Sequence, residues 1–108
     1  MLTRTDLPQG QQATQSVHAA FSFAHAHVGL MDDWYETSSY LVLLGVEDEV
    51  ELGWWRVRLL DKGCVLTPWH EPDRDNELTA LAVAPSPVAE RTLSSLPLLL
   101  RQAEVAMA

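Results

Sequence analysis

The sequence predicts a single domain of the α/β class, and three observations support that prediction. The chain has 108 residues, of which 47% are apolar, and this composition suits one compact domain with a modest core. Segments of strand length alternate with segments of helical periodicity, as they do in layered α/β folds. A short loop joins the last two predicted strands, which favours antiparallel pairing between them.

The first part of the chain is interpreted as a strand followed by a long helix. The strand covers residues 1–5 and ends at Asp6-Leu7-Pro8, and the helix covers residues 11–28. At about 100° per residue, the apolar side chains of this helix share one arc: Ala13, Val17, Ala20, Phe21, Ala24 and Val28. The opposite arc is polar and contains Gln11, Gln15, His18, Ser22 and His25.

The middle of the chain predicts a helical turn at residues 31–35, a buried parallel strand at residues 39–44 and a second helix at residues 46–63. Asp48, followed three residues later by Glu51, resembles a capping box at the start of that helix. The predicted buried stripe of the helix consists of Val50, Trp54, Val57 and Leu60.

The last part of the chain predicts two strands and a helix. Residues 64–69 and 78–84 have the composition of strands and flank a polar loop at residues 70–77. A final helix is expected over residues 88–104, and Pro97 is expected to interrupt it.

Charge and composition exclude several classes of protein. The chain has 15 acidic and 7 basic residues and a net charge of −8, which favours a small-molecule or protein partner over non-specific binding to nucleic acid. One cysteine permits no internal disulfide and no cysteine zinc site, and the spacing of the histidines predicts no metal site. No segment has the length of a membrane span or the plan of a signal peptide, so we expect a cytoplasmic protein.

Two motifs near the N-terminus bear a resemblance to a known family. The sequence RTDL stands at residues 4–7, and QGQQATQSVHA stands at residues 9–19. Together they resemble the R-x-D-L and K-G-K-x-A-A-Q-C-x-H-A motifs of the type II peptidyl-tRNA hydrolases of archaeal and eukaryotic type. The matching positions of the second motif are Gly10, Ala13, Gln15, His18 and Ala19.

A third motif follows the third predicted strand. The sequence EPDRDN, at residues 71–76, resembles the D-A-G-R-T-Q segment of that family, with Glu71 as its carboxylate and Arg74 as its arginine. Asp73 and Asp75 replace its glycine and threonine. The resemblance covers essentially the whole chain and implies a three-layer α/β/α sandwich with a four-stranded mixed sheet. Many members of the family form dimers, so by analogy a homodimer is expected.

The resemblance implies hydrolysis of the ester that joins a stalled peptide to the 3′ ribose of tRNA, a reaction of translation that needs no metal or other cofactor. The implied catalytic residues are His18, Glu71 and Gln15, and the implied substrate-binding residues are Gln9, Gln11, Asp6 and Arg74. Histidine and glutamate suit proton transfer to and from water.

Glutamines replace both lysines of the family motif, at Gln9 and Gln11. An amide donates hydrogen bonds but neutralises no negative charge, so we expect a weak or altered hydrolase of a tRNA-linked peptide or another small ester. The alternative is a non-catalytic binding or interaction module on the same fold. Asp6 as the cap of a turn, and His18 as a solvated helix residue, are the simpler interpretations of those side chains.

Overall fold

Four strands form one mixed sheet in the computed structural model, which describes residues 1–101. The strands are β1 (Leu2–Arg4), β2 (Leu44–Val46), β3 (Leu66–Glu71) and β4 (Glu77–Val83). Their order across the sheet is β2-β1-β4-β3, with β1 parallel to β2 and antiparallel to β4. Strands β3 and β4 are antiparallel, so the predicted pairing of the last two strands is confirmed, as is the α/β class.

Helices cover both faces of this sheet. They are α1 (Gln9–Ala26), α2 (Val28–Thr37), α3 (Glu49–Asp61) and α4 (Pro87–Thr92). Ala19 and Phe23 of α1 form one buried cluster with alanines of β4. Leu52 and Leu59 of α3 form a second cluster with leucines of β1 and β4. The sheet therefore separates two apolar layers, as a three-layer arrangement requires. None of the described helices has both the length and the hydropathy needed to span a membrane.

The prediction that α1 buries its apolar arc is wrong. Val17 and Phe21 are 49% and 71% exposed. The residues that α1 buries are instead Gln12, Gln15, Ser16, Ala19 and Phe23. The reason lies in the sheet, which offers α1 hydrogen-bonding groups such as the hydroxyl of Thr3, 2.7 Å from that of Ser16. Buried polar side chains are tolerated where they find such partners.

The predicted buried stripe of α3 is also wrong. Val50, Trp54, Val57 and Leu60 are all at least half exposed, and the buried residues are Leu52, Trp55 and Leu59. This helix is apolar on two opposite sides, so its sequence alone does not decide which side packs on the sheet. Its terminal signals are as predicted, although the helix covers Glu49–Asp61 rather than residues 46–63. Asp48 accepts a hydrogen bond from the Glu51 N–H at 2.9 Å, and Gly63 follows with a φ of 77°.

Several other boundaries differ from the prediction. The turn expected at residues 31–35 is the full helix α2, and the strand expected at residues 39–44 lies instead at Leu44–Val46. Strand β3 extends to Glu71, which shortens the expected loop. Helix α4 ends at Thr92, five residues before Pro97. Of the predicted last helix, residues 102–104 lie outside the described residues.

Candidate functional site

One stripe of α1 faces the end of β3 through three pairs of side chains. Positions 11, 15 and 18 lie on one side of a helix, because their spacings are four and three residues. We call the six residues the α1–β3 row: Gln11 with Arg74, Gln15 with Glu71, and His18 with Trp69. The middle of the polar arc that the sequence predicts for α1, at Gln15 and His18, therefore lies against the sheet, whereas Gln11 and His25 are exposed.

The centre of the row is a buried hydrogen-bond relay. The Thr79 hydroxyl donates to Gln15 Oε1 at 2.8 Å, which leaves the amide nitrogen of Gln15 directed to Glu71. Gln15 Nε2 donates to Glu71 Oε1 at 3.3 Å. All three residues are buried, Glu71 with only 8% of its surface exposed. The relay thus fixes the orientation of a carboxylate that solvent barely reaches.

Thr79 is a site residue that the sequence interpretation missed. Trp69 pairs with Ala80 and His70 pairs with Leu78, so Thr79 is an extra residue in β4. Such a bulge re-aims a side chain out of strict alternation, and here the consecutive residues Thr79 and Ala80 both lie on the α1 side of the sheet. A threonine inside the otherwise apolar run LTALAV is the one sequence signal that marked this position.

The outer part of the row contains two ring nitrogens without partners. The rings of His18 and Trp69 lie with their centroids 4.8 Å apart. Within residues 1–101, neither His18 Nδ1 nor Trp69 Nε1 has a hydrogen-bond partner, although both atoms are buried. Buried polar atoms of this kind normally bond to protein, water or a ligand. The described part of the protein therefore leaves two buried hydrogen-bonding groups beside the relay unsatisfied.

The arginines near the row are already paired with carboxylates. Arg4 is 5% exposed and binds both oxygens of Asp6 at 2.9 Å and Glu77 at 2.7 Å. The hydrogen bonds from Arg4 hold the pKa values of Asp6 and Glu77 below their usual ranges, and those with Asp6 raise the pKa of Arg4. Arg74 Nε lies 3.5 Å from Glu77 as well. The buried arginine therefore has its charge compensated within the protein.

The seven predicted site residues separate into three groups. Gln11, Gln15, His18, Glu71 and Arg74 meet in the α1–β3 row. Gln9 lies exposed in the first turn of α1. Asp6 has both oxygens bound by Arg4, so the structure gives it the role of an ion-pair partner rather than a contact in the row. Among the described residues, no three potential metal ligands cluster together.

A further concavity lies away from the row. It is an apolar groove of about 860 Å³ between the second half of α1, α2 and α4, and none of its lining residues belongs to the row. Tyr40, Leu41 and Val42 line it and are exposed. Since the row contains a buried carboxylate fixed by the relay and the two unpartnered ring nitrogens, we place the candidate chemistry there and not in the groove.

Comparison with known proteins adds no assignment to this geometry. The fold and the row define an α/β protein with a buried glutamate–glutamine–threonine relay. No protein-family model matches the chain, and no curated protein shows significant similarity to it.

Proposed function

We propose that this chain is a hydrolase of the peptidyl-tRNA type, acting on the ester of a tRNA-linked peptide or on a related small ester. The observation that supports this most directly is the contact between Gln15 and Glu71, 3.3 Å apart, next to the half-buried ring of His18. These residues occupy motif positions of the type II family. The resemblance of the motifs and the contacts in the α1–β3 row therefore support the same set of residues. A role in translation and a cytoplasmic location belong to the same proposal.

The proposed reaction uses the row to activate water. Glu71 takes a proton from a water molecule, and the water oxygen bonds to the ester carbonyl carbon. Gln15, fixed by Thr79, holds the carboxylate in place during that transfer. The bond between the carbonyl carbon and the ribose oxygen then breaks, and the proton passes to that oxygen. His18 lies where it can donate to the substrate or orient the water.

Release of peptide from purified peptidyl-tRNA tests this proposal. The wild-type chain is expected to exceed the uncatalysed rate, because the α1–β3 row contains both a positioned carboxylate and a histidine. The His18→Ala/Glu71→Ala double variant is expected to show the uncatalysed rate only. Equal rates for the two proteins would contradict the hydrolase proposal.

A non-catalytic binding module is the second candidate, and the charge of the site favours it. Gln9 and Gln11 are neutral, and Arg4 and Arg74 are both in contact with Glu77. A site with compensated arginines attracts phosphate weakly, since affinity for nucleic acid depends on uncompensated cations. In this case the row would bind a neutral or cationic group without turnover.

Restoring the lysines separates the two candidates. In a Gln9→Lys/Gln11→Lys variant of a hydrolase, two new cations are expected to raise kcat/KM for peptidyl-tRNA about tenfold and to steepen its salt dependence by about 1.4 in log–log slope. Asp32→Asn/Asp33→Asn is the matched control, because it changes net charge equally at the α2 end of the molecule. A binding module would show no hydrolysis with either variant.

A further inference from the structure

The apolar groove between α1, α2 and α4 has the size of a small-molecule site. Its volume of about 860 Å³ lies within the range of about 300–1,000 Å³ that is typical of ligand pockets. Small side chains are among its lining residues, Ala20 and Ala24 from α1 and Ala82 from β4, and they leave space that larger side chains would fill. The groove can therefore hold an organic molecule of modest size.

Three aromatic side chains line this groove. They are Phe21 of α1, Trp34 of α2 and Tyr40, which follows α2. Phe21 and Tyr40 are 71% and 74% exposed, so their rings are open to a bound group. The indole Nε1 of Trp34 donates to the Tyr40 carbonyl oxygen at 2.6 Å, which holds the two residues together. Aromatic rings attract organic cations through the negative face of the π system.

Two carboxylates also lie along the groove. They belong to Asp33 of α2 and Glu90 of α4, and within residues 1–101 neither side chain forms an ion pair. Met1 lines the groove as well, but its terminal amine donates to the Val42 carbonyl oxygen at 2.8 Å, and burial lowers the pKa of this amine to about 6. The amine is therefore largely uncharged near neutral pH, and the two carboxylates give the groove a negative potential.

We propose that this groove binds a small lipophilic ammonium ion, in which an alkyl chain carries a tertiary or quaternary amine head. The chain packs on apolar side chains such as Leu41 and Leu98, which are 61% and 60% exposed. The carboxylates and the aromatic rings attract the head. The net charge of −8 favours the approach of a cation over that of an anion. None of the lining residues belongs to the α1–β3 row, so this site does not depend on the proposed hydrolase activity.

Calorimetric titration of the full chain with octyltrimethylammonium, below its micelle concentration, tests the proposal. The expected Kd is about 10⁻⁴ M for a ligand of this size. The uncharged 1-octanol should bind about fivefold more weakly, because it lacks the cation. Octanoate, which has the opposite charge, should bind weakest. Absence of binding by octyltrimethylammonium, or an equal affinity for any two of the three probes, overturns the proposal.

Neutralisation of the two carboxylates locates the bound cation. Asp33→Asn/Glu90→Gln keeps the size of both side chains and should weaken binding of octyltrimethylammonium about tenfold, while 1-octanol binds as before. Glu47→Gln/Asp61→Asn is the matched control, because it removes the same charge at two exposed residues that do not line the groove. If the two double variants bind octyltrimethylammonium equally, the groove is not its site and the proposal fails.

Replacement of one ring tests the aromatic part of the site. Phe21→Leu keeps an apolar side chain at an exposed position of α1, so the fold should be unaffected. Affinity for octyltrimethylammonium should fall about threefold through loss of the cation–π contact, and affinity for 1-octanol should not change. An equal loss for both probes would overturn the role of the ring. Circular dichroism confirms that each variant compared is folded.

A basic amphipathic peptide is the alternative occupant of an acidic apolar groove. A helical peptide of leucine and lysine is the probe for this case, titrated under the same conditions. We expect it to bind more weakly than octyltrimethylammonium at the groove, because the volume of about 860 Å³ suits a small molecule. Tighter binding of the peptide that is lost in Asp33→Asn/Glu90→Gln would show a peptide-docking surface and overturn the proposal.

Discussion

Replacement of Glu71 by glutamine is expected to lower kcat/KM for peptidyl-tRNA by about 10²–10⁴, the usual contribution of a positioned general base. The substitution keeps the size of the side chain and an oxygen that accepts the hydrogen bond from Gln15 Nε2. It removes the ability to take a proton from water. The loss should therefore appear in kcat rather than in KM, measured as release of peptide under saturating and limiting substrate.

Asp73→Asn is the matched control for that experiment. Asp73 lies exposed in the 3-10 turn Pro72–Arg74, directly after Glu71, and the substitution changes net charge by the same amount. Its kcat should equal that of the wild type. If Glu71→Gln is as active as Asp73→Asn, Glu71 is not the base and the proposed mechanism fails.

Truncation of Leu59 to alanine is expected to cost about 3 kcal/mol of unfolding free energy, within the range measured for fully buried leucines. Leu59 has 0% of its surface exposed and packs in the α3 layer. Its neighbour Leu60 is 50% exposed, so Leu60→Ala should cost less than about 1 kcal/mol. Denaturant unfolding measures both values under the same conditions.

This pair of variants tests the orientation of α3. The sequence pattern predicts Leu60 as part of the buried stripe, whereas the structure buries Leu59 instead. A larger loss of stability in Leu60→Ala than in Leu59→Ala would show that the helix packs through its other side. In that case Val50, Trp54 and Val57, which are exposed in the structure, would lie in the core.

Much of the fold could be predicted from the sequence because its signals are local. Alternating elements indicated the α/β class, the short β3–β4 connection indicated antiparallel pairing, and Asp48 marked the start of α3. The buried faces of α1 and α3 could not be predicted in the same way. The face of α1 depends on polar partners in the sheet, and α3 is apolar on two sides, so in both cases tertiary packing decides.

Only part of the candidate site could be predicted from the sequence, again because spacing along one helix is local and contacts between elements are not. Residues in register on one helix, such as Gln11, Gln15 and His18, follow from sequence spacing. The partners that they meet on β3 depend on how that strand packs against α1, and the resemblance of the motifs supplied Glu71 and Arg74. Thr79 was not predicted, because a bulge is a property of two paired strands and the sequence of one strand alone does not reveal it.

The bulge at Thr79 affects how mutation of the gene could add this site to the fold or remove it. The ladder pairs Trp69 with Ala80 and His70 with Leu78, so Thr79 stands between two pairs without a partner of its own on β3. Deleting Thr79 would therefore leave the flanking pairs in register, and only the hydroxyl that holds Gln15 would disappear. We therefore expect a single-codon insertion or deletion at this point of the gene to add or remove one functional group while the pairing of β3 with β4 is kept.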